Sequence, residues 1–369
     1  MKKIIIFVSI FLIIAISFVV FSNLNTKDGY YENGEIKIFC WGEYMADGTD
    51  GSLNILEEFE KKEKVKVASF NTFDSSEQMY AKLKNGNSNY DIIFSCDYMV
   101  KKLIDEGLIQ KIDTKKLKNY CNIMEKCKGS VWGYDETNSF SIPYSWGSVG
   151  IIYNETLVEQ IAKEKGRKII TGWKSLLDER FKQQILMFIN SRDSFSIAHK
   201  ILGNSINTTN KNEILNAAEI LKKQKPLVQA YVMDEMFDKM ENNEAAISVA
   251  YSGDIIKMMK NNKNLRYCFP CEGSNIFIDA ICIPTNAKNK ENALKFIDFL
   301  CDPKIALENA QFLSYSTPNK KAWELLDDDI KNNPIAYPPD DVIKKCQLHL
   351  PLPKETNFLI ESLWANVRT

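Results

Sequence analysis

The chain has 369 residues, with 47 Lys+Arg against 48 Asp+Glu for a net charge of -1, and 45% hydrophobic residues. That balance excludes wholesale disorder, and at about 150 residues per domain it predicts two globular domains. No basic excess points to nucleic acid, and the two histidines, His199 and His349, are thin material for a His-rich metal site or a His-based triad.

Met1-Lys2-Lys3 precedes an uncharged run over 4–21, which reads as an export signal. As a helix the run spans about 27 Å, so the sequence leaves cleavage and retention as a membrane anchor both open. Residues 23–35 are polar and tether-like, which sets 1–34 apart from the working chain. The remainder has no second span, so it is expected outside the cytoplasmic membrane, in the periplasmic space or on that membrane's outer face.

A strand over 36–40, an amphipathic helix over 54–62 with Leu56 and Phe59 inward, and a strand over 65–70 come first. Asp74 and Glu77 have capping-box spacing, and the helix they open stops at Gly86. A buried strand over 91–95 and a helix over 99–106 complete a βαβαβ rhythm. A second such unit starts near Val149. It continues through helices over 173–181, a strand over 184–189, helices over 194–202 and 212–224, strands over 246–250 and 276–283, and a helix over 290–301. The fold class is therefore α/β.

Nine cysteines are an odd number for an exported chain. Cys121 and Cys127 are spaced for one local disulfide; Cys268-Phe-Pro-Cys271 lacks the strand-to-helix setting of a redox motif and reads as structural thiols. His199 reads as a helix-surface or satisfied histidine. No phosphate loop, G-x-S-x-G elbow or H-E-x-x-H occurs, and no cofactor or metal is expected.

Several predicted strand ends instead carry acids beside aromatics: Trp41, Glu43 and Tyr44; Cys96 and Tyr98; Asn190 and Asp193; Tyr251 and Asp254; Phe277 and Asp279. In open α/β sheets, ligands bind at the carboxyl ends of strands, so these ends can converge on one cleft. Carboxylates beside aromatic faces suit an elongated cation, through charge-assisted hydrogen bonds and cation–π attraction. Asp193 and Asp254 also have helix N-cap readings. Asp279, inside an apolar strand, needs a partner if buried.

At these residues the chain resembles the spermidine/putrescine-binding proteins of bacterial ABC polyamine importers. The resemblance runs from about residue 36 to the C-terminus. It rests on Trp41-Gly-Glu-Tyr44, Met79-Tyr-Ala-Lys-Leu83, Tyr90-Asp-Ile-Ile93, Ser141-Ile-Pro-Tyr-Ser-Trp-Gly147, Pro284-Thr-Asn-Ala-Lys-Asn-Lys290, Ser316-Thr-Pro-Asn319 and Tyr337-Pro-Pro339. It implies a type II periplasmic-binding-protein fold, with two α/β lobes and a ligand cleft at a hinge. Lobe 1 is expected to hold 35–143 plus 279–323, and lobe 2 to hold 144–278 plus 324–369. It also implies a monomer that does no chemistry and delivers a polyamine to the membrane subunits of an ABC permease.

Carried over by this resemblance, Trp41 and Tyr44 flank the ligand with Glu43 between them, and Tyr98, Tyr251 and Phe277 are pocket rings. Asp193 and Asp279 pair with amines, Asp254 matches an acid of the putrescine-preferring branch, and Tyr315 sits near the same end. Cys96 stands where a Ser is usual, and Asn190 where spermidine binders often carry an Asp. These departures keep open a different cationic amine on the same fold, or an enzyme using Cys96 as nucleophile.

Overall fold

The computed structural model describes residues 31–369 apart from Glu43, Asp74, Asn87 and residues 166–169. The export-signal run, the ligand role expected of Glu43 and the capping role of Asp74 lie outside the described residues.

Among the described residues nine strands form one sheet: β1 (Glu35–Trp41), β2 (Lys66–Phe73), β3 (Ile92–Cys96), β4 (Ser141–Asn154), β5 (Ile185–Phe188), β6 (Val228–Val232), β7 (Ile247–Tyr251), β8 (Leu265–Cys268) and β9 (Ile276–Cys282). Their order is β2-β1-β3-β9-β4-β7-β5-β6, with β8 pairing β4. β1 runs parallel to β2 and β3, and β5 runs parallel to β6 and β7. Between these two parallel sets lie the long antiparallel strands β4 and β9.

Alternation explains the packing. Ile36, Ile38 and Cys40 of β1 enter one core while Phe39 enters another, and Ile92 and Phe94 of β3 are divided from Ile93 in the same way. Burial on both faces is what an apolar run such as Ile92-Ile-Phe94 requires. A separate core gathers Ile151, Leu186, Met187, Ile247 and Val249 around the other parallel set. Two α/β lobes result, and β4 joins them. Its residues 141–148 pair with β9, and residues 149–154 pair with β7 or β8. The helix Lys354–Arg368 returns to pack Trp364 and Ile360 beside Phe195, and Trp364 Nε1 donates to the Ile189 carbonyl at 2.8 Å.

Several expectations are corrected. The helix Ser76–Lys84 is capped by Ser75, whose side chain accepts from Gln78 N. The helices expected over 173–181 are two short 3-10 turns, Trp173–Leu177 and Glu179–Phe181. The strand expected from Val149 starts earlier, at Ser141, although its pairing with the second unit does begin at Val149. All nine cysteines are free thiols. Cys121 is exposed on a 3-10 turn while Cys127 is buried, so the two do not pair. His199 is neither on the surface nor fully satisfied: it is 2% exposed and its Nδ1 has no partner among the described residues. Burial lowers its pKa to about 4 and keeps it neutral.

Candidate ligand-binding site

The site is built where β4 and β9 pass between the lobes. In register, Asp279 of β9 stands between Cys96 of β3 and Ser145 of β4, and Phe277 stands opposite Gly147. Alternation turns Phe277 and Asp279 to the same side of the strand. The Tyr44 hydroxyl lies 2.5 Å from Asp279 Oδ2 and 2.6 Å from Ser145 Oγ. The Tyr44 backbone is pinned in turn, because its carbonyl accepts from the Tyr144 hydroxyl at 2.7 Å and Tyr144 accepts from Asn309 Nδ2.

The other lobe supplies the start of helix Ser191–Leu202. Asn190 is its N-cap, with Oδ1 accepting from Asp193 N at 2.8 Å. That answers the capping alternative for Asp193: the acid sits in the first turn, where the Tyr251 hydroxyl donates to Oδ2 at 2.8 Å. Asp254 is likewise not a cap. Helix Ser252–Asn261 follows β7 directly with Tyr251 at the cap position, and Asp254 accepts from the Tyr315 hydroxyl at 2.8 Å.

The rings form a belt. Tyr251 stacks on Phe188 at 4.8 Å between centroids and meets the edge of Phe277 at 5.5 Å. Phe277 meets Tyr315 at 5.9 Å, and Tyr315 meets Tyr44 at 6.3 Å. Two glycines make this approach possible. A Cβ at Gly147 would fall 2.7 Å from the Phe277 ring, and one at Gly253 would fall 2.7 Å from three Tyr315 ring carbons.

Three carboxylates are set along this belt, each held by a tyrosine hydroxyl. Among the described residues none is ion-paired to a Lys or Arg within 4.0 Å. Burial pushes Asp279 and Asp254 up to about 6, and it also raises Asp193, against the hydrogen bond from Tyr251. Desolvated acids without a cation are costly when ionised, and a bound cation would remove that cost.

Three more expected residues lie at the ends of β1 and β3. Trp41 packs on Phe73 at 4.4 Å, and its Nε1 is buried without a partner among the described residues. Cys96 lies at the start of helix Asp97–Asp105, its thiol 3.0 Å from Ser76 Oγ. Tyr98 donates to Glu77 at 3.2 Å and meets the edge of His349.

The bacterial extracellular solute-binding protein family matches residues 54–338. This chain belongs to that family. A spermidine/putrescine-binding periplasmic protein of Salmonella typhimurium is 35% identical over 315 residues, 85% of this chain and 86% of that protein. A putrescine-binding periplasmic protein of Pseudomonas aeruginosa is 29% identical over 349 residues, 92% and 93% of the two chains. The crystal structure of the spermidine/putrescine ABC transporter substrate-binding protein PotD from Streptococcus pneumoniae superimposes with a TM-score of 0.79. It has 32% identity and covers 91% of this chain and 100% of that one. The two-lobed type II fold implied by the resemblance is thus the fold of this solute-binding protein.

Within it, most of the shared stretches serve the scaffold. Asp91 of Tyr90-Asp-Ile-Ile93 accepts from Lys37 N, Lys288 N and Asn289 N, and so ties β1 and β3 to the 284–290 stretch. Ser316 and Trp146 exchange backbone hydrogen bonds, and the Tyr337 hydroxyl accepts from Thr317 N. Sequence reasoning missed Ser145 and Phe188, which support Tyr44 and Tyr251. Ser145 was visible inside the 141–147 stretch, whereas Phe188 looked like any strand residue.

Proposed function

We propose that this solute-binding protein captures a linear polyamine of the putrescine/spermidine class outside the cytoplasmic membrane and passes it to the membrane subunits of an ABC permease. One observation carries the reading: three desolvated carboxylates, drawn from both lobes, lie along a belt of five aromatic rings, and among the described residues none is ion-paired to a Lys or Arg. An alkyl chain with an ammonium at each end fits that pattern. Its methylenes lie against rings, and each ammonium takes a charge-assisted hydrogen bond worth about 1.5–3 kcal/mol. The names of the relatives point to the same ligand class. Retention of Asp254 and Phe277 favours the shorter diamine.

In this reading the protein works as a monomer, with 35–143 plus 279–323 as one lobe and 144–278 plus 324–369 as the other. Bending of β4 and β9 closes the lobes on the ligand. No bond is made or broken. The Cys96 thiol is a poor nucleophile, because burial and then the nearby Asp97 and Asp279 push its pKa well above the usual range. Nor does a histidine serve it as base: His349 is buried on Ser196, and His199 is buried within its own helix.

Titration calorimetry with putrescine, cadaverine, spermidine and spermine tests the reading. Binding near or below micromolar, about -8 kcal/mol, is expected for at least one. No heat and no thermal shift with all four would overturn it. Gly253→Ala is expected to weaken that binding by about tenfold or more, since overpacking costs about 1–3 kcal/mol and the added methyl must displace the Tyr315 ring. Unchanged affinity would show that this ring does not close on the ligand.

A further inference from the structure

One more buried polar residue lies beside Asp193, just before the crossing strand. Asn275 precedes β9 by one position, and alternation puts it on the same side as Phe277 and Asp279. It is held extended, with its carbonyl accepting from Val149 N at 3.0 Å and a parallel bridge to Gln347. It is 6% exposed, and its side-chain Oδ1 is buried without a partner among the described residues. With Asp193, Ser196, Ser274 and Lys200 it lines a small cavity.

The other polar groups of that cavity are occupied. Ser196 Oγ bonds the Arg192 carbonyl and His349, Ser274 Oγ bonds the Val149 carbonyl, and Lys200 Nζ bonds the Lys345 carbonyl. Asn190, the neighbouring amide, spends its Oδ1 on capping its helix. Asn275 Oδ1 is therefore the acceptor left wanting a donor beside Asp193. An alkylammonium carries three donors, and Asp193 already accepts from Tyr251, so one carboxylate does not satisfy it.

We infer that Asn275 is a further ligand-binding residue, whose Oδ1 joins the Asp193 carboxylate in seating one ammonium of the ligand. The inference rests on the amine reading above. It makes the cleft asymmetric: one ammonium meets a single charge and a neutral acceptor, while Asp254 and Asp279 stand at the other end. A residue that adds a charge at 275 then favours an amine with more charges.

Asn275→Ala and Asn275→Asp test this in the full chain, by calorimetry with putrescine and spermidine and by thermal melts without ligand. Asn275→Ala is expected to weaken putrescine about tenfold while the ligand-free melting temperature changes little, since an unpaired buried acceptor is removed together with the amide's hydrogen bond to Asp193. Asn275→Asp is expected to shift the spermidine-to-putrescine affinity ratio toward spermidine by about tenfold. Affinities within about twofold of wild type for both variants would overturn the inference. So would an equal loss for both ligands accompanied by a lower melting temperature, which marks a scaffold residue. Wild-type protein that binds neither amine would overturn the amine reading itself, and this inference with it.

Discussion

Asp279→Asn is expected to weaken amine binding by about 10- to 100-fold, the worth of one charge-assisted hydrogen bond. The substitution keeps the shape and leaves an oxygen to accept from Tyr44, so the change isolates the charge. Asp279 is 8% exposed and its hydrogen-bond partner is the Tyr44 hydroxyl. An ionised carboxylate there has lost most of its hydration and has gained no cation. The ligand-free protein should therefore melt no lower as the Asn variant, and the melting temperature can rise. Calorimetry paired with thermal melts reads both signs. Unchanged affinity would remove Asp279 from the site, and a large fall in melting temperature would make it a structural acid.

Affinity is expected to fall about 100-fold between pH 7.5 and pH 5. Burial places Asp254 and Asp279 at about 6 in the ligand-free protein. One pH unit below its pKa each group is about tenfold in favour of the protonated form, and the ligand's ammonium must displace that proton. The ligand stays charged throughout, since alkylamines titrate near the Lys value of about 10.4. Fold stability without ligand runs the other way. Both folded pKa values lie above the unfolded carboxylate value of about 3.9, so the folded state binds more protons between about pH 6 and 4. These two groups then add stability as pH falls through that window. Binding isotherms and ligand-free melts across the range check the two opposite slopes. A flat binding profile would show that neither acid touches the ligand.

Much of this was legible in the sequence because strand ends are local. Trp41, Cys96 and Tyr251 each close a run of alternating or apolar residues, and each is followed by polar residues. Asp279 stood out because an acid inside an apolar strand demands a reason. The pairing was not legible. That the tyrosine for Asp254 comes from position 315 and the one for Asp279 from position 44 is decided by lobe packing, which has no local signature. The strands Val228–Val232 and Leu265–Cys268 were missed for a related reason. Both are short and half-buried, and their stability comes from neighbours distant in the chain. The disulfide between Cys121 and Cys127 failed because spacing in sequence says nothing of which thiol faces the core.

The placement of β9 has a consequence for the order of assembly. The amino-terminal half of the sheet ends at β3, whose open edge waits for a strand that pairs residue 93 with residue 282. Until that strand has been synthesised, the first lobe has an unmet edge and part of its apolar surface has no cover. Such long-range pairing is slow, because the loop must close before its contacts form. The first lobe therefore completes its sheet only after the strands of the second lobe have been made.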